Sequence, residues 1–154
     1  LMVATGSNNS VRAIENITQN LINDKNVIAA VHCYWPMSFT HQGASWIKND
    51  DGTLKYPGGV KYTAAAKAEV ESAIKICKDF SEKNNMAVWL GEFGVYQGGG
   101  AAAEDVQAYL SDFTKLCGES KISWCYWEYN VGFSAYDEST GWRGNVLAGL
   151  GLGQ

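Results

Sequence analysis

Several features that define common protein classes are missing from this 154-residue sequence. No apolar run approaches the roughly 18 uninterrupted residues of a membrane-spanning helix. No block of basic residues occurs, and the net charge of −4 disfavours binding to nucleic acid or to an anionic membrane surface. The four cysteines form neither a Cys-x-x-Cys pair nor a Cys/His cluster, so no metal site is predicted. The sequence therefore predicts a globular chain that needs no membrane, nucleic acid, metal or cofactor.

The cysteines are expected to be structural. Two of them, Cys33 and Cys125, lie in apolar strand-like runs, and all four are predicted to be buried free thiols. A disulfide between Cys77 and Cys117, on neighbouring predicted helices, is the alternative. The chain begins at Leu1 inside a strand-like run, and we interpret this start as the cut edge of a longer protein.

Apolar runs alternate with segments of helical periodicity along the whole chain. The runs, predicted as strands, cover residues 1–5, 26–35, 86–90 and 122–129. Amphipathic helices are predicted over residues 10–24, with Ser10 as N-cap, and over 60–84 and 102–120. A loop over 35–60 is long enough to predict a functional role. The βαβα alternation predicts an α/β fold with a parallel sheet.

Two parallel-sheet architectures fit this alternation. A doubly wound sheet binds ligands beside a glycine-rich phosphate loop, but the glycine cluster QGGGAAAED (97–105) has neither the GxGxxG spacing nor a P-loop lysine. An eight-stranded barrel instead carries its active site at the C-terminal ends of the strands. The polar and aromatic residues of this chain gather at those ends, which favours the barrel.

Three side chains at the strand ends are candidates for chemistry. His32 and Tyr34 are two residues apart, so on a strand both point to one face while Cys33 points to the other. Glu92 stands between two glycines and beside aromatic residues after an apolar run, where a carboxylate is partly buried. Partly buried carboxylates of this kind mark active sites.

Three ordered segments resemble the C-terminal half of glycoside hydrolase family 5, a class of retaining β-glycanases that includes many cellulases. They are HCYWPMSFTHQGASW (32–46), WLGEFGVY (89–96) and WCYWEYNVGFSAYD (124–137). The resemblance implies a TIM-type (β/α)8 barrel, of which residues 1–154 supply a single (β/α)4 half-barrel domain with strands five to eight. The implied activity is cleavage of β-1,4-linked glucan, as in an endoglucanase, and the implied localisation is extracellular, where such polymers lie.

The resemblance also implies roles for individual residues. Glu92 matches the catalytic nucleophile, His32 and Tyr34 match the pair beside it, and Trp127 matches the aromatic platform under the reacting sugar. Trp35 and Trp46 are further candidates for stacking on sugar rings, because sugars present apolar C–H faces. A retaining enzyme needs a second carboxyl group about 5–5.5 Å from the nucleophile, as acid and base.

This second carboxyl group has no counterpart in the chain. In the family it follows an asparagine on the fourth strand, and no Asn-Glu dipeptide occurs here. The acid/base is therefore expected from outside the chain, either from a complementing N-terminal half-barrel or from a second copy in a homodimer. In the homodimer, Glu128 is expected at the sugar-binding edge near the partner's acid/base position. The alternative function is a half-barrel module that binds carbohydrate without cleaving it.

Overall fold

The computed structural model describes residues 1–153 and builds them around a four-stranded parallel sheet in the order β1-β2-β3-β4. The sheet strands are β1 (Met2–Ala4), β2 (Ile28–His32), β3 (Val88–Glu92) and β4 (Ser123–Trp124). The helices are α1 (Gly6–Asn9), α2 (Gln19–Asn23), α3 (Met37–Thr40), α4 (Ala64–Asn84), α5 (Ala103–Glu119) and α6 (Gly144–Gly149). Two 3-10 helices cover Val11–Asn16 and Gln97–Gly99, and an antiparallel hairpin pairs β5 (Tyr136–Asp137) with β6 (Gly141–Trp142). The predicted α/β class with a parallel sheet is confirmed.

Helices α4 and α5 cover one face of this sheet. Thr63 caps α4 by accepting a hydrogen bond from the backbone N–H of Ala66, and Asn85 ends the helix in a left-handed conformation. The apolar stripes predicted for both helices are buried against the sheet, at Val70, Ile74, Cys77, Phe80, Val106, Leu110 and Phe113. The facing side chains of the central strands are also buried, at Ala29, Val31 and Leu90. The main core therefore lies between the sheet and these two helices.

The opposite face of the sheet is uncovered. Its outer strands expose Met2, Ala4, Ser123 and Cys125, and Trp89 lies half-buried near the centre, opposite Ala30 of the neighbouring strand. Parallel sheets are ordinarily covered on both faces, because each face carries apolar side chains. This face therefore has the composition of a surface that another layer covers.

The prediction of a single helix over residues 10–24 is wrong. The chain forms a 3-10 helix, passes through extended backbone at Ile17 and Thr18, and then makes the short helix α2. Val11, Ile14 and Ile17 recur every three residues and are all buried, which suits the three residues per turn of a 3-10 helix. Ser10 caps the segment as predicted, with its hydroxyl accepting from the backbone N–H of Arg12.

Strand limits also differ from the prediction. Regular pairing in β4 covers two residues instead of 122–129, although the extended backbone goes on hydrogen bonding to its neighbour through Cys125 and Trp127. The hairpin β5–β6 and helix α6 were not predicted. The turn between β5 and β6 is closed by the Asp137 carboxylate, which accepts hydrogen bonds from Ser139 and Thr140.

The cysteines are all free thiols, so the alternative Cys77–Cys117 disulfide is not formed. Cys33, Cys77 and Cys117 are buried as predicted, and burial raises the pKa of Cys33 to about 12. Cys125 is exposed, contrary to the prediction, because its side chain points to the uncovered face of the sheet.

Tyr109 is a core residue with a buried polar atom. Its ring is fully buried among aromatic side chains, and its hydroxyl has no hydrogen-bond partner within residues 1–153. A buried hydroxyl without a partner is costly, so Tyr109→Phe is expected to leave the free energy of unfolding unchanged or raise it by about 1 kcal/mol. Urea denaturation measures this.

The neighbouring Tyr62 provides the matched control. Its ring contacts the Tyr109 ring at right angles, and its hydroxyl donates to Asp112 Oδ2 at 3.2 Å. Tyr62→Phe is expected to lower the free energy of unfolding by about 1 kcal/mol, because it removes a hydrogen bond to a carboxylate. A larger loss in Tyr109→Phe than in Tyr62→Phe would contradict this description of the core.

Candidate active site

A shift in strand register brings the candidate residues together at the C-terminal edge of the sheet. Val31 of β2 pairs with Leu90 of β3, but the next residue, His32, pairs with Glu92, so Gly91 is left without a partner. An extra residue of this kind re-aims the side chains that follow it. Leu90 points into the helix-covered core, and without the extra residue Glu92 would point the same way. The shift instead places Glu92 beside His32.

Two neighbouring side chains converge on one oxygen of Glu92. The Tyr34 hydroxyl donates to Oε2 at 3.0 Å, and His32 Nδ1 lies 3.2 Å from the same atom. The other ring nitrogen of His32 lies 3.4 Å from Asn9 Nδ2. The side chains of His32 and Glu92 are 23% and 25% exposed, so the group is shielded yet open to a ligand.

The electrostatics of the group keep Tyr34 a neutral phenol. Burial raises the pKa of Tyr34 well above its usual value, and the adjacent Glu92 carboxylate raises it further. Tyr34 therefore keeps its proton and donates it in a hydrogen bond to Glu92.

These residues open into a cleft of about 420 Å³. Its lining comes from the ends of β1 and β2, from the chain around α3 and from Glu92, and comprises Ser7, Asn8, Ser10, His32, Tyr34, Trp35, Met37, His41 and Glu92. A larger cavity of about 500 Å³ lies at the opposite, N-terminal end of the strands, around Asp24 and Met86. That second cavity contains none of the candidate residues.

Trp127 follows β4 and lies beside the strand that carries Glu92. Its backbone N–H donates to Phe93 O at 2.9 Å, and its side chain is 42% exposed. Gly94 permits this approach, because a Cβ atom at position 94 would lie 2.2 Å from Trp127 O. Gly94 thus brings the backbone of Trp127 close to the chain that follows β3, while the Trp127 side chain is outside the lining of the Glu92 cleft.

The other two predicted aromatic residues lie in different settings. Trp35 lines the cleft, and the guanidinium of Arg12 stacks 4.2 Å from the centre of its ring. Trp46 lies outside the cleft lining, is 57% exposed and contacts the ring of Tyr96 edge-on at 4.8 Å. The structure therefore brings Trp35, but not Trp46, to the cleft that contains Glu92.

Glu128 has a structural contact within its own loop. Its Oε1 accepts a hydrogen bond from the backbone N–H of Phe133 at 3.1 Å, and its backbone carbonyl accepts from Ala135. The residue therefore closes the loop that follows Trp127. One carboxylate oxygen is occupied by this contact.

His41 is a cleft residue to which the sequence analysis assigned no role. Thr40 Oγ1 lies 2.6 Å from the carbonyl oxygen of Tyr34 and donates its proton there, so the proton in its 3.0 Å contact with His41 belongs to His41 Nδ1. The ring also meets Tyr34 edge-on at 5.0 Å. Burial lowers the pKa of His41 to about 4, so the ring is neutral near pH 7 and its Nε2 is a hydrogen-bond acceptor.

Two further properties of the described residues concern metal binding and membrane helices. Among residues 1–153, no group of three or more His, Cys, Asp or Glu side chains has an arrangement that could hold a metal ion. No helix in the described part of the chain is both long and apolar enough to cross a membrane. The titratable side chains that line the cleft are one carboxylate, one phenol and two imidazoles.

Comparison with known families gives one match over most of the chain. Residues 1–132 match the model of the cellulase family, glycosyl hydrolase family 5. Endoglucanase 3 of Fibrobacter succinogenes is 27% identical over 154 residues, which cover 82% of this chain and 22% of that protein. Endoglucanase C of Acetivibrio thermocellus is 27% identical over 164 residues, which cover 90% of this chain and 46% of that protein.

Solved structures give the same result. An endoglucanase superposes with a TM-score of 0.84 at 29% identity, and an endoglucanase from Thermotoga maritima with a TM-score of 0.83 at 27% identity. Each superposition covers 97% of this chain and 47% of the other. The chain thus spans about half the length of these solved structures, and at most about half of the two named relatives.

The lowered pKa of His41 predicts a pH dependence of stability. Between its ordinary value of 6.5 and about 4, the unfolded chain binds a proton at this residue and the folded chain does not. The contribution of neutral His41 is therefore complete above pH 6.5 and is lost as the pH falls towards 4. We expect this loss to reach up to about 3 kcal/mol.

The comparison variant is His41→Asn, measured by urea denaturation near pH 7 and near pH 4. The other titratable groups are the same in both proteins, so their effects cancel in the difference between the two pH profiles. The variant is expected to lose less stability on acidification than the unaltered chain. Parallel pH profiles would contradict the assignment of a buried neutral imidazole.

Proposed function

Because the chain belongs to the cellulase family, glycosyl hydrolase family 5, we propose that it carries the nucleophile side of an enzyme that hydrolyses β-1,4-linked glucan with retention of configuration. The observation that supports this most directly is the convergence of Tyr34 and His32 on one oxygen of Glu92. The relatives named as endoglucanases support the glucan substrate. A secreted location follows as part of the proposal, since polymeric glucan lies outside cells.

In this mechanism Glu92 is the nucleophile. Tyr34 and His32 contact Oε2, whereas Oε1 has no hydrogen-bond partner in the described part of the chain and is free to attack. The Oε1–C1 bond forms as the glycosidic bond breaks, and a separate carboxylic acid protonates the departing oxygen. The separate acid, now a carboxylate, then takes a proton from water, and this water attacks C1 and releases Glu92. Tyr34 and His32 fix the carboxylate in its attacking orientation.

The separate acid is supplied from outside the chain in this proposal. The chain forms a half-barrel with strands five to eight of the family's barrel, and a second half covers the exposed sheet face that carries Met2, Ser123 and Cys125. Two observations support this: the bare face of the parallel sheet, and the superposition of the whole chain on about half of each endoglucanase.

Of the two candidates for the second half, we favour an N-terminal half-barrel over a second copy of this chain. In a homodimer the partner's Glu128 would have to act as the acid. That carboxylate already accepts a hydrogen bond from its own loop at Phe133. An N-terminal half of the family type would bring the glutamate that follows an asparagine on strand four.

Aromatic residues supply the remaining contacts with the polymer. Trp127 is proposed as the platform under the sugar that reacts, because it is partly exposed and next to the Glu92 strand. Trp35 and Trp46 are proposed to contact neighbouring sugars. Glu128 is proposed to lie at the sugar-binding edge, because it comes directly after Trp127. Its hydrogen bond with the backbone of Phe133 closes the loop that follows Trp127.

A binding module without catalysis is the second candidate. It is favoured by one observation, the absence of an Asn-Glu dipeptide from the sequence. Loss of general acid assistance costs roughly 10²–10⁴-fold in rate, so the chain alone would bind glucan with little turnover. The two candidates differ in whether Glu92 forms a bond to sugar.

A fluorinated cellobioside with a dinitrophenyl leaving group distinguishes the two candidates. This leaving group departs without protonation, so the missing acid is not needed for the first step. We expect the intact chain to gain the mass of one glycosyl group, attached to the peptide that contains Glu92. Mass spectrometry of the whole chain and of its peptides measures both.

Three variants sharpen this experiment. Glu92→Gln is expected to form no adduct, and Tyr34→Phe to be labelled about tenfold more slowly, since it removes a hydrogen bond to the attacking carboxylate. The matched control is Tyr62→Phe, because the Tyr62 hydroxyl donates to Asp112 away from the cleft. This variant is expected to be labelled at the unaltered rate. Glucan binding without any adduct would contradict the enzyme proposal and support the binding module.

A further inference from the structure

A second groove adjoins the cleft that contains Glu92. It has a volume of about 410 Å³ and runs outward from the end of β2 towards the first half of helix α4. It shares three lining residues with the Glu92 cleft, namely Ser10, Trp35 and Met37. We call it the Arg12 groove, lined by Ser10, Arg12, Trp35, Pro36, Met37, Ser38, Tyr56 and Glu69. The two spaces are therefore neighbours, with Trp35 lining both.

Two charged side chains with no counter-ion line the Arg12 groove. Arg12 and Glu69 are both exposed, and neither has an ion-pair partner within 4.0 Å among residues 1–153. The guanidinium of Arg12 lies over the Trp35 ring, which fixes one of its faces and leaves its N–H donors at the rim. The groove therefore offers several donors from Arg12 and acceptors from Glu69.

This combination suits a neutral ligand that carries many hydroxyl groups. One positive and one negative side chain cancel in net charge, so neither an anion nor a cation is preferred. Hydroxyl groups both donate and accept, so a sugar can pair with Arg12 and Glu69 together. The indole of Trp35 and the ring of Tyr56 add apolar surface for the C–H bonds of the sugar.

We propose that the Arg12 groove binds the glucan chain beyond the sugars held at Glu92, with Arg12 and Glu69 hydrogen bonding to its hydroxyls and Trp35 positioning Arg12. This inference rests on the proposed function, because it takes the ligand of the Glu92 cleft to be a glucan. Its consequence is a dependence of affinity on chain length. A short oligosaccharide fills the Glu92 cleft alone, whereas a long one also enters the groove.

The test measures the affinities of cellobiose and cellohexaose by calorimetry, in a Glu92→Gln background that prevents turnover. Arg12→Ala is expected to weaken cellohexaose binding about tenfold and to leave cellobiose binding unchanged, because the lost hydrogen bonds are charge-assisted. Arg12→Lys, which keeps the charge but loses the planar fork, and Glu69→Gln are expected to weaken cellohexaose binding by smaller factors. Both keep side-chain bulk in the groove, so they report on binding if Arg12→Ala fails to fold.

Two controls separate the groove from the cleft. Lys78→Ala removes an exposed charge that lies on α4 away from the groove and pairs with Glu82, and it is expected to change neither affinity. Trp127→Ala is expected to weaken binding of both oligosaccharides, since Trp127 is the proposed platform under the sugar that reacts at Glu92.

The outcomes distinguish the two proposals. If both oligosaccharides bind and Trp127→Ala weakens both, while Arg12→Ala and Glu69→Gln leave cellohexaose affinity unchanged, the groove proposal is overturned and the proposed function stands. Equal weakening of both oligosaccharides by Arg12→Ala would also overturn it, because the residue would then act on the cleft. If the unaltered cleft binds neither oligosaccharide, both proposals fail.

Discussion

The register between β2 and β3 is the constraint on which the site depends. Parallel pairing alone would place Gly91 opposite His32 and turn Glu92 towards the helix-covered core. The single unpaired glycine reverses that direction, so that Glu92 meets both Tyr34 and His32 at the open edge. Backbone geometry, set by one residue without a side chain, therefore decides where the carboxylate lies. Tyr34 and His32 then decide which of its oxygens is left without a hydrogen bond.

The two faces of the same sheet differ, since one is covered by helices and the other is exposed. Helices α4 and α5 bury one face of the sheet with closely packed aliphatic and aromatic side chains. The uncovered face leaves Met2 and Cys125 exposed to solvent. The proposed chemistry has the same division. Glu92 has its supporting groups within the chain, while the acid it must work with lies outside it. A second barrel half would complete the core and the catalytic pair together.

Sequence reasoning found those parts of the fold whose signals are strong and local. The stripe of Val70, Ile74 and Phe80 identified α4, and the apolar runs identified all four parallel strands. It failed at residues 10–24, where the three-residue spacing of Val11 and Ile14 fits a 3-10 helix as well as an α-helix.

At the site, spacing placed His32 and Tyr34 on one face, and their contact with Glu92 agrees with that expectation. The role of Gly91 could not be predicted, because a register shift depends on two strands that are distant in sequence. The cleft position of His41 depends likewise on tertiary packing around Thr40 and Tyr34. The most direct test of the account is light scattering after size-exclusion chromatography, with each fraction assayed on unactivated soluble β-1,4-glucan. We predict activity only in particles well above the 16.8 kDa of one chain. A monomeric fraction that hydrolyses the glucan would contradict it.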